Sequence, residues 1–123
     1  MTRVKRSVHA KKKRREVLER AKGFRGEAHS NYKRAKEAVM KADAYAYRDR
    51  RNRKRDFRRL WITRINAAAR QEGLSYGAFM HGLKLAGVEL DRKVLADLAV
   101  KQPESFSALA GQAKDAISKQ ANA

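Results

Sequence analysis

Residues 31–71 read NYKRAKEAVMKADAYAYRDRRNRKRDFRRLWITRINAAARQ, a stretch that contains neither Gly nor Pro. Ala, Arg, Lys and Glu dominate it, and these residues have high helix propensity. Ser30 is of a type that caps helix N-termini, and Gly73 of a type that ends helices. The stretch therefore predicts one helix of about 40 residues, from Asn31 to Gln71.

Shorter elements are predicted on both sides of this helix. Residues 1–15 read as a basic tail, residues 16–22 as a short helix, and Gly23 and Gly26 as a turn. Three short helices follow the long one, because Ser75 and Asp91 are N-cap types and Pro103 suits a first helical position. No period-two strand pattern of useful length occurs, so the predicted fold class is all-α.

The charge is concentrated in the first half of the chain. The 123 residues carry 31 Lys and Arg against 13 Asp and Glu, a net charge of +18. The first sixty residues hold 23 basic and 7 acidic residues, and the remaining 63 hold 8 and 6, so the two parts carry +16 and +2. Such an excess indicates a polyanionic partner, with nucleic acid first and a membrane surface second.

The apolar residues divide the other way, since large aliphatic side chains are scarce before Leu60. The first half lacks the apolar material for a core of its own. We therefore expect residues 1–60 to form a basic extension ordered mainly by its partner, residues 61–118 a small helical globular domain, and residues 119–123 a tail. The expected core residues are Trp61, Ile62, Ile65, Leu74, Phe79, Met80, Leu83, Leu85, Val88, Leu90, Val94, Leu95, Leu98, Val100, Phe106, Leu109 and Ile117.

On a helical wheel, the basic residues between Arg48 and Arg59 occupy about two thirds of the circumference. One arc lacks them and holds Asp49, Asp56 and Leu60, an arc that we expect to face protein or solvent. This distribution suggests that nucleic acid surrounds the helix on several sides. After Leu60 a formerly basic sector becomes apolar, which indicates that the helix enters the C-terminal core near Trp61.

Aromatic residues interleave with the charge and are candidates for stacking on bases. They are Tyr32, Tyr45, Tyr47 and Phe57. Tyr45 and Tyr47 are equally well explained by packing against a neighbouring helix. Trp61 is better explained as a core anchor, packed against Phe79, Leu83 or Leu95, than as an RNA contact. The run from Lys11 to Arg15 fits a solvated face as well as an anion site.

The sequence contains no pattern that is typical of a catalytic or a metal-binding site. The chain has no Cys, which excludes disulfides, thiolate metal sites and a cysteine nucleophile. His9, His29 and His81 have no partner at metal-ligand spacing, and Asp49 is expected to form an ion pair such as that with Arg53. No apolar run is long enough to span a membrane. We expect no enzyme activity, no cofactor, no metal and no small-molecule substrate.

Several blocks resemble one family. They are YAYRDRRNRKRDFRRLWI at 45–62, RINAAAR at 64–70, AKGFRG at 21–26, GLK at 82–84 and DRKVLADLA at 91–99. Together they resemble bacterial large-subunit ribosomal protein L20, from Arg3 to about Ile117. The resemblance implies a cytoplasmic, non-catalytic constituent of the 50S subunit that binds 23S ribosomal RNA directly and acts early in subunit assembly. It also implies neighbouring large-subunit ribosomal proteins as partners, no membrane, and for some members their own messenger RNA.

The RNA-binding candidates follow from these blocks and from the charge. The blocks imply Lys22, Phe24, Arg25, Arg48, Arg50, Arg51, Asn52, Arg53, Lys54, Arg55, Arg58, Arg59, Arg64, Lys84, Arg92 and Lys93. Basic or aromatic character adds Arg3, Lys5, Arg6, Lys11, Lys12, Lys13, Arg14, Arg15, Tyr32, Lys33 and Arg34. The main alternative is a DNA-compacting nucleoid protein, but the basic helix has neither a heptad seam for dimerisation nor an apolar wedge.

Overall fold

The computed structural model describes residues 5–122, and every regular element in that range is helical, which confirms the all-α prediction. The helices are α1 (Arg6–Arg20), α2 (Tyr32–Gln71), α3 (Tyr76–Leu85), α4 (Arg92–Lys101) and α5 (Pro103–Ala121), and a single 3₁₀ turn (Gly26–His29) precedes α2. The chain divides into two compact units, the first ending at Asn52 and the second beginning at Arg53. Arg3 lies outside the described residues.

Helix α2 has the predicted extent of 40 residues. Its cap is Asn31 and not Ser30, because the Asn31 side-chain oxygen accepts from the Lys33 N–H at 3.1 Å. At the other end Gly73 has the predicted left-handed conformation, with φ +82°. Its N–H donates to the Arg70 carbonyl, and the N–H of Leu74 donates to that of Ala69, so two carbonyls of the last turn of α2 are satisfied.

The N-terminal prediction is wrong in its boundary, since α1 begins at Arg6 and includes the basic run that was predicted as a tail. The helix has no side-chain N-cap and no acidic residue in its first turn, so the sequence carries no start signal. Ala, Lys, Arg and Leu nevertheless favour a helix, and Val17 and Leu18 pack against apolar residues of α2.

A small apolar cluster holds the first unit together, which corrects the expectation that this half has no core. Its buried members are Ala21, Ala35 and Val39, and Val17, Leu18 and Phe24 pack against them. Two of the three buried side chains are single methyl groups. The apolar stabilisation of this unit is therefore small.

The second unit has the caps that the sequence predicts. The Ser75 hydroxyl accepts from the Ala78 N–H at 3.2 Å and begins α3, and the Asp91 carboxylate accepts from the Val94 N–H at 2.9 Å and begins α4. Pro103 opens α5. The Ser107 hydroxyl on α5 donates to the Glu72 carboxylate at 2.6 Å, just after the end of α2.

The core of the second unit lies where α3 and α4 pack against α5. The rings of Phe79 and Phe106 stack with centroids 4.8 Å apart. The buried residues are Ile65, Ala69, Phe79, Leu83, Leu95, Ala96, Phe106, Ala110 and Ala113. Four predicted core residues are instead exposed, namely Leu85, Leu90, Val94 and Val100. Leu85 shows the reason, because it follows buried Leu83 by two residues and so lies on the opposite side of its helix.

Gly82 marks the closest approach of two helices in this core. A Cβ atom at this position would lie 2.6 Å from the Ala113 carbonyl oxygen on α5 and 2.7 Å from the Ala113 Cβ. Only glycine allows the α3 and α5 backbones to approach this closely.

Candidate nucleic-acid interface

In the first unit, predicted RNA-binding residues of the basic run at 11–15 lie close to Lys22, which precedes the glycine turn. Lys11, Arg14, Arg15 and Lys22 line one groove of about 460 Å³, together with His29. Leu18 and Glu19 complete the lining. The guanidinium of Arg14 also lies 5.3 Å from the ring centroid of Tyr32 on α2. The arrangement places four cations around one groove, which favours an anionic ligand.

Two ion pairs link the elements of the first unit. Arg20 on α1 pairs with Asp43 on α2. The hydrogen bond from Arg20 holds the pKa of the Asp43 carboxyl below its usual value and raises the pKa of Arg20. Arg34, a predicted RNA contact, pairs with Glu27 at 3.2 Å, so its charge is partly neutralised within the protein.

Tyrosines in the middle of α2 carry cations on their rings. The guanidinium of Arg51 lies 3.6 Å from the ring centroid of Tyr47, and that of Arg48 lies 4.5 Å from the ring centroid of Tyr45. Lys41 lies 5.6 Å from the Tyr45 ring centroid. Both tyrosines are exposed, and these contacts preorganise Arg48 and Arg51 at the surface. Sequence reasoning missed this role, although aromatic and basic residues three or four apart on a helix predict such contacts.

The expected pairing of Asp49 with Arg53 is wrong. Asp49 pairs with its neighbour Arg48, with 3.0 Å between Nε of the arginine and the carboxylate oxygen. The Arg51 guanidinium donates to the Tyr47 carbonyl at 3.2 Å. Because one guanidinium carries five donors, both arginines keep N–H groups for an external anion.

Basic residues of the second unit are concentrated near the start of that unit on α2. Arg53, Lys54, Arg55, Arg58 and Arg59 are all exposed. Within residues 5–122 no carboxylate lies at salt-bridge distance from any of them. Five neighbouring cations without acidic partners repel one another, and a polyanion would relieve that repulsion.

A cleft of about 420 Å³ joins this segment to the beginning of α4. Lys54, Arg55 and Arg58 line it from α2, and Arg92 and Lys93 from α4. The other two lining residues are Trp61 and Asp91. Residues that are more than thirty positions apart in the sequence are thus brought to one place.

Tyr76 contacts a predicted RNA-binding residue, which the sequence does not reveal. Its hydroxyl accepts a hydrogen bond from Nε of Arg92 at 2.7 Å, and Arg92 is only partly exposed. The bond fixes the guanidinium while leaving its terminal nitrogens available. Lys84 lies apart from this cleft, in a neighbouring groove of about 390 Å³ that Arg92 also lines.

The remaining predicted contacts are placed less closely together. Phe24 is partly buried against the small cluster of the first unit, so it has a packing role that the sequence did not reveal. Tyr32 and Asn52 are also partly exposed. The other candidates are exposed, namely Lys5, Arg6, Lys12, Lys13, Arg25, Lys33, Arg50 and Arg64.

Trp61 fulfils the core prediction in part. It is partly buried and packs against the core cluster of the second unit, as expected. It also stacks on Phe57, with centroids 6.1 Å apart, and lines the basic cleft.

The part of the chain that the structure describes contains neither a candidate metal site nor a candidate membrane-spanning helix. No group of three or more potential metal-ligating side chains occurs between residues 5 and 122. In the same range, no helix has both the length and the apolar composition of a membrane crossing. The fold and surface define a class of small, basic, α-helical proteins whose exposed side chains suit a polyanion.

Comparisons with known proteins identify the family. The family model for ribosomal protein L20 matches residues 3–109. The chain is 63% identical over 117 residues to large ribosomal subunit protein bL20 of Rubrobacter xylanophilus, covering 95% of this chain and 88% of that protein. It is 61% identical over 117 residues to bL20 of Roseiflexus sp., covering 95% and 100% of the two chains. For bL20 of Aromatoleum aromaticum the identity is 61% over 114 residues, covering 93% and 96%.

The chain therefore belongs to the ribosomal protein L20 family. This membership agrees with the expectation that the chain is a structural constituent of the large ribosomal subunit and not an enzyme.

Proposed function

We propose that the protein binds 23S ribosomal RNA directly in the large ribosomal subunit and organises RNA helices during early subunit assembly, without a catalytic step. One observation carries this proposal. Basic side chains surround the middle of α2, and among the described residues those from Arg53 to Arg59 have no acidic partner. A surface of this kind suits phosphates on several sides of one helix better than a single flat duplex.

The mechanism is charge neutralisation by a fixed shape. Closely packed RNA helices repel one another through their phosphates, and a basic helix placed between them removes the repulsion and releases bound counterions. Because the major groove of A-form RNA is too deep and narrow for side chains to read its base edges, contacts to phosphate and ribose are the expected mode. The tyrosine-stacked Arg48 and Arg51 begin with restricted side chains and so lose less entropy on binding.

The proposed contact residues are those predicted from the sequence, and they fall into three groups. The first group lines the groove of α1 and the glycine turn, and the second consists of the exposed basic residues around the middle of α2. The third is the cleft that Arg92 and Lys93 share with Lys54, Arg55 and Arg58. Neighbouring ribosomal proteins are further proposed partners.

The test is the salt dependence of binding to 23S ribosomal RNA. If about ten phosphates are neutralised, log K against log salt should have a slope of roughly −7 to −9. Arg55→Gln/Arg58→Gln should make the slope shallower by between about 1 and 2. The matched control, Lys114→Gln/Lys119→Gln, removes the same charge from α5 and should leave the slope unchanged. A wild-type slope shallower than about −3 would contradict the proposal.

The protein's own messenger RNA is a second proposed RNA ligand, and the basic cleft of the second unit is the surface that suits it.

A competition experiment distinguishes the proposed function from that of a nucleoid protein. A DNA-compacting protein would bind duplex DNA as tightly as ribosomal RNA at physiological salt. We expect the protein to stay bound to ribosomal RNA when duplex DNA is added in excess. Preferential binding of the duplex DNA would favour the nucleoid function.

A further inference from the structure

The cleft between α2 and the start of α4 differs from every other basic surface of the protein in containing a tryptophan. Trp61 lies beside Lys54 and Arg58 on one wall, and Arg92 and Lys93 approach from the other. The volume of about 420 Å³ falls within the range of roughly 300–1,000 Å³ that small-molecule pockets occupy. The cleft therefore has room for one base with its ribose and phosphate.

We propose that this cleft binds one unpaired nucleotide of the RNA, with the base against Trp61 and the phosphate on the surrounding cations. The proposal rests on the proposed RNA-binding function and assigns Trp61 a ligand. Tryptophan offers the largest aromatic surface for a base, and such stacking does not depend on which base is bound. The bases inside a fully paired helix are stacked on one another and expose no face to an indole ring.

The position of Arg92 and Lys93 points to an anion. Both lie in the first turn of α4, which contains no acidic residue. Cations at a helix N-terminus oppose the helix dipole, so this placement costs helix stability. A bound phosphate reverses that effect, because both the dipole and the two side chains then attract it.

Arg92 is also held ready for an anion. The Tyr76 hydroxyl accepts from Nε of Arg92 at 2.7 Å, which leaves the two terminal nitrogens to donate in parallel to phosphate oxygens. Asp91 is the one acidic residue of the lining, and its Oδ1 accepts from the Val94 N–H as the helix cap. Five cations against one carboxylate leave the cleft strongly positive.

Trp61 is the only tryptophan in the chain, so all indole fluorescence comes from this position. The experiment titrates the full-length protein with single-stranded oligoadenylate of about ten nucleotides. Inorganic polyphosphate of similar charge supplies phosphates without bases, and an RNA duplex of the same length supplies paired bases. We expect saturable quenching by oligoadenylate and little change with polyphosphate or duplex.

Substitution of a cation that is proposed to bind the phosphate tests the site independently, because it leaves the buried core unchanged. Arg92→Gln should weaken oligoadenylate binding about tenfold, the effect of one lost charged hydrogen bond. Lys114→Gln on α5 is the matched control and should leave the affinity unchanged. Trp61→Phe keeps an aromatic ring in the core, and anisotropy of a labelled oligonucleotide should show affinity reduced a few-fold with an unchanged thermal melt.

Unchanged Trp61 fluorescence at saturation, or equal quenching by polyphosphate and oligoadenylate, would overturn the proposal. Steep salt-dependent binding of 23S ribosomal RNA alongside such a result would show that the RNA-binding function survives and only the nucleotide site is wrong. Failure to bind ribosomal RNA at all would instead remove the proposed function itself.

Discussion

The two units of this protein are both helical, but they are stabilised in different ways. The unit ending at Asn52 contains 18 Lys and Arg against 6 Asp and Glu, and its buried residues are Ala21, Ala35 and Val39. The unit beginning at Arg53 contains 13 against 7 and buries nine residues, including Phe79 and Phe106. The difference indicates that the helices of the first unit depend mainly on helix propensity, with little support from a core, and helices of that kind are only marginally stable by themselves.

This difference has a consequence for stability. The second unit should unfold cooperatively, because its buried side chains form one cluster drawn from four helices. The first unit depends on helix propensity, a few methyl groups and the exposed pair of Arg20 with Asp43. Interactions of this kind give low local stability.

The largest effect is expected at the aromatic stack of the second unit. Phe79→Ala removes a ring that is fully buried and stacks on Phe106, which should cost about 3–5 kcal/mol. That cost is comparable with the whole stability of a small domain. Thermal melting by circular dichroism should show the second unit largely unfolded. Val39→Ala in the first unit is the comparison and should leave the cooperative transition in place.

A smaller effect is expected where α3 meets α5. Gly82→Ala would place a Cβ atom 2.6 Å from the Ala113 carbonyl oxygen, and such overpacking should cost about 1–3 kcal/mol. Gly77→Ala is the matched control on the same helix, because no atom beyond the adjacent residues and the helix's own backbone lies within 4 Å of its added Cβ. That change should be neutral or stabilise the protein by up to about 1 kcal/mol. Equal denaturation midpoints for the two variants would contradict the packing described for α3 and α5.

The smallest effect concerns pH and the first unit. Arg20 lowers the pKa of Asp43, so the pair stabilises the folded unit above the unfolded carboxyl pKa of about 3.9. That stabilisation is lost as the pH falls through the lower folded-state pKa. Amide protection factors at the ends of α1, which correct for the pH dependence of intrinsic exchange, should therefore fall below about pH 4. Asp43→Asn should lower these protection factors slightly at neutral pH, whereas Asp49→Asn should not, because Asp49 pairs within α2.

Much of the fold was predictable because local signals and tertiary packing agree. The absence of Gly and Pro from residues 31–71 predicts α2, and Ser75, Asp91 and Pro103 mark the short helices. The start of α1 was not predictable, since Lys5 makes no side-chain cap and the helix is secured by Val17 and Leu18 packing on α2. Exposed Leu85 and Val100 show that hydrophobicity alone does not place a residue in a core.

The candidate site was predictable in its residue types but not in its geometry. Charge and motif together point to Arg58 and Arg92, but only the tertiary structure places them at one cleft beside Trp61. The hydrogen bond from Arg92 to Tyr76 joins positions 16 residues apart, and no sequence pattern predicts it. The ion pair of Asp49 also differs from the predicted one, because Asp49 pairs with its direct neighbour Arg48 and not with Arg53.

The central claim is that the second unit folds by itself and the first is ordered mainly by RNA. Amide hydrogen exchange of the full-length protein, measured with and without 23S ribosomal RNA, tests this claim most directly. We expect amides of residues 65–113 to be protected in both states, and those of residues 6–52 to be protected strongly only with RNA. Strong protection of residues 6–52 in the free protein, equal to that of the Phe79 and Phe106 helices, would contradict the claim.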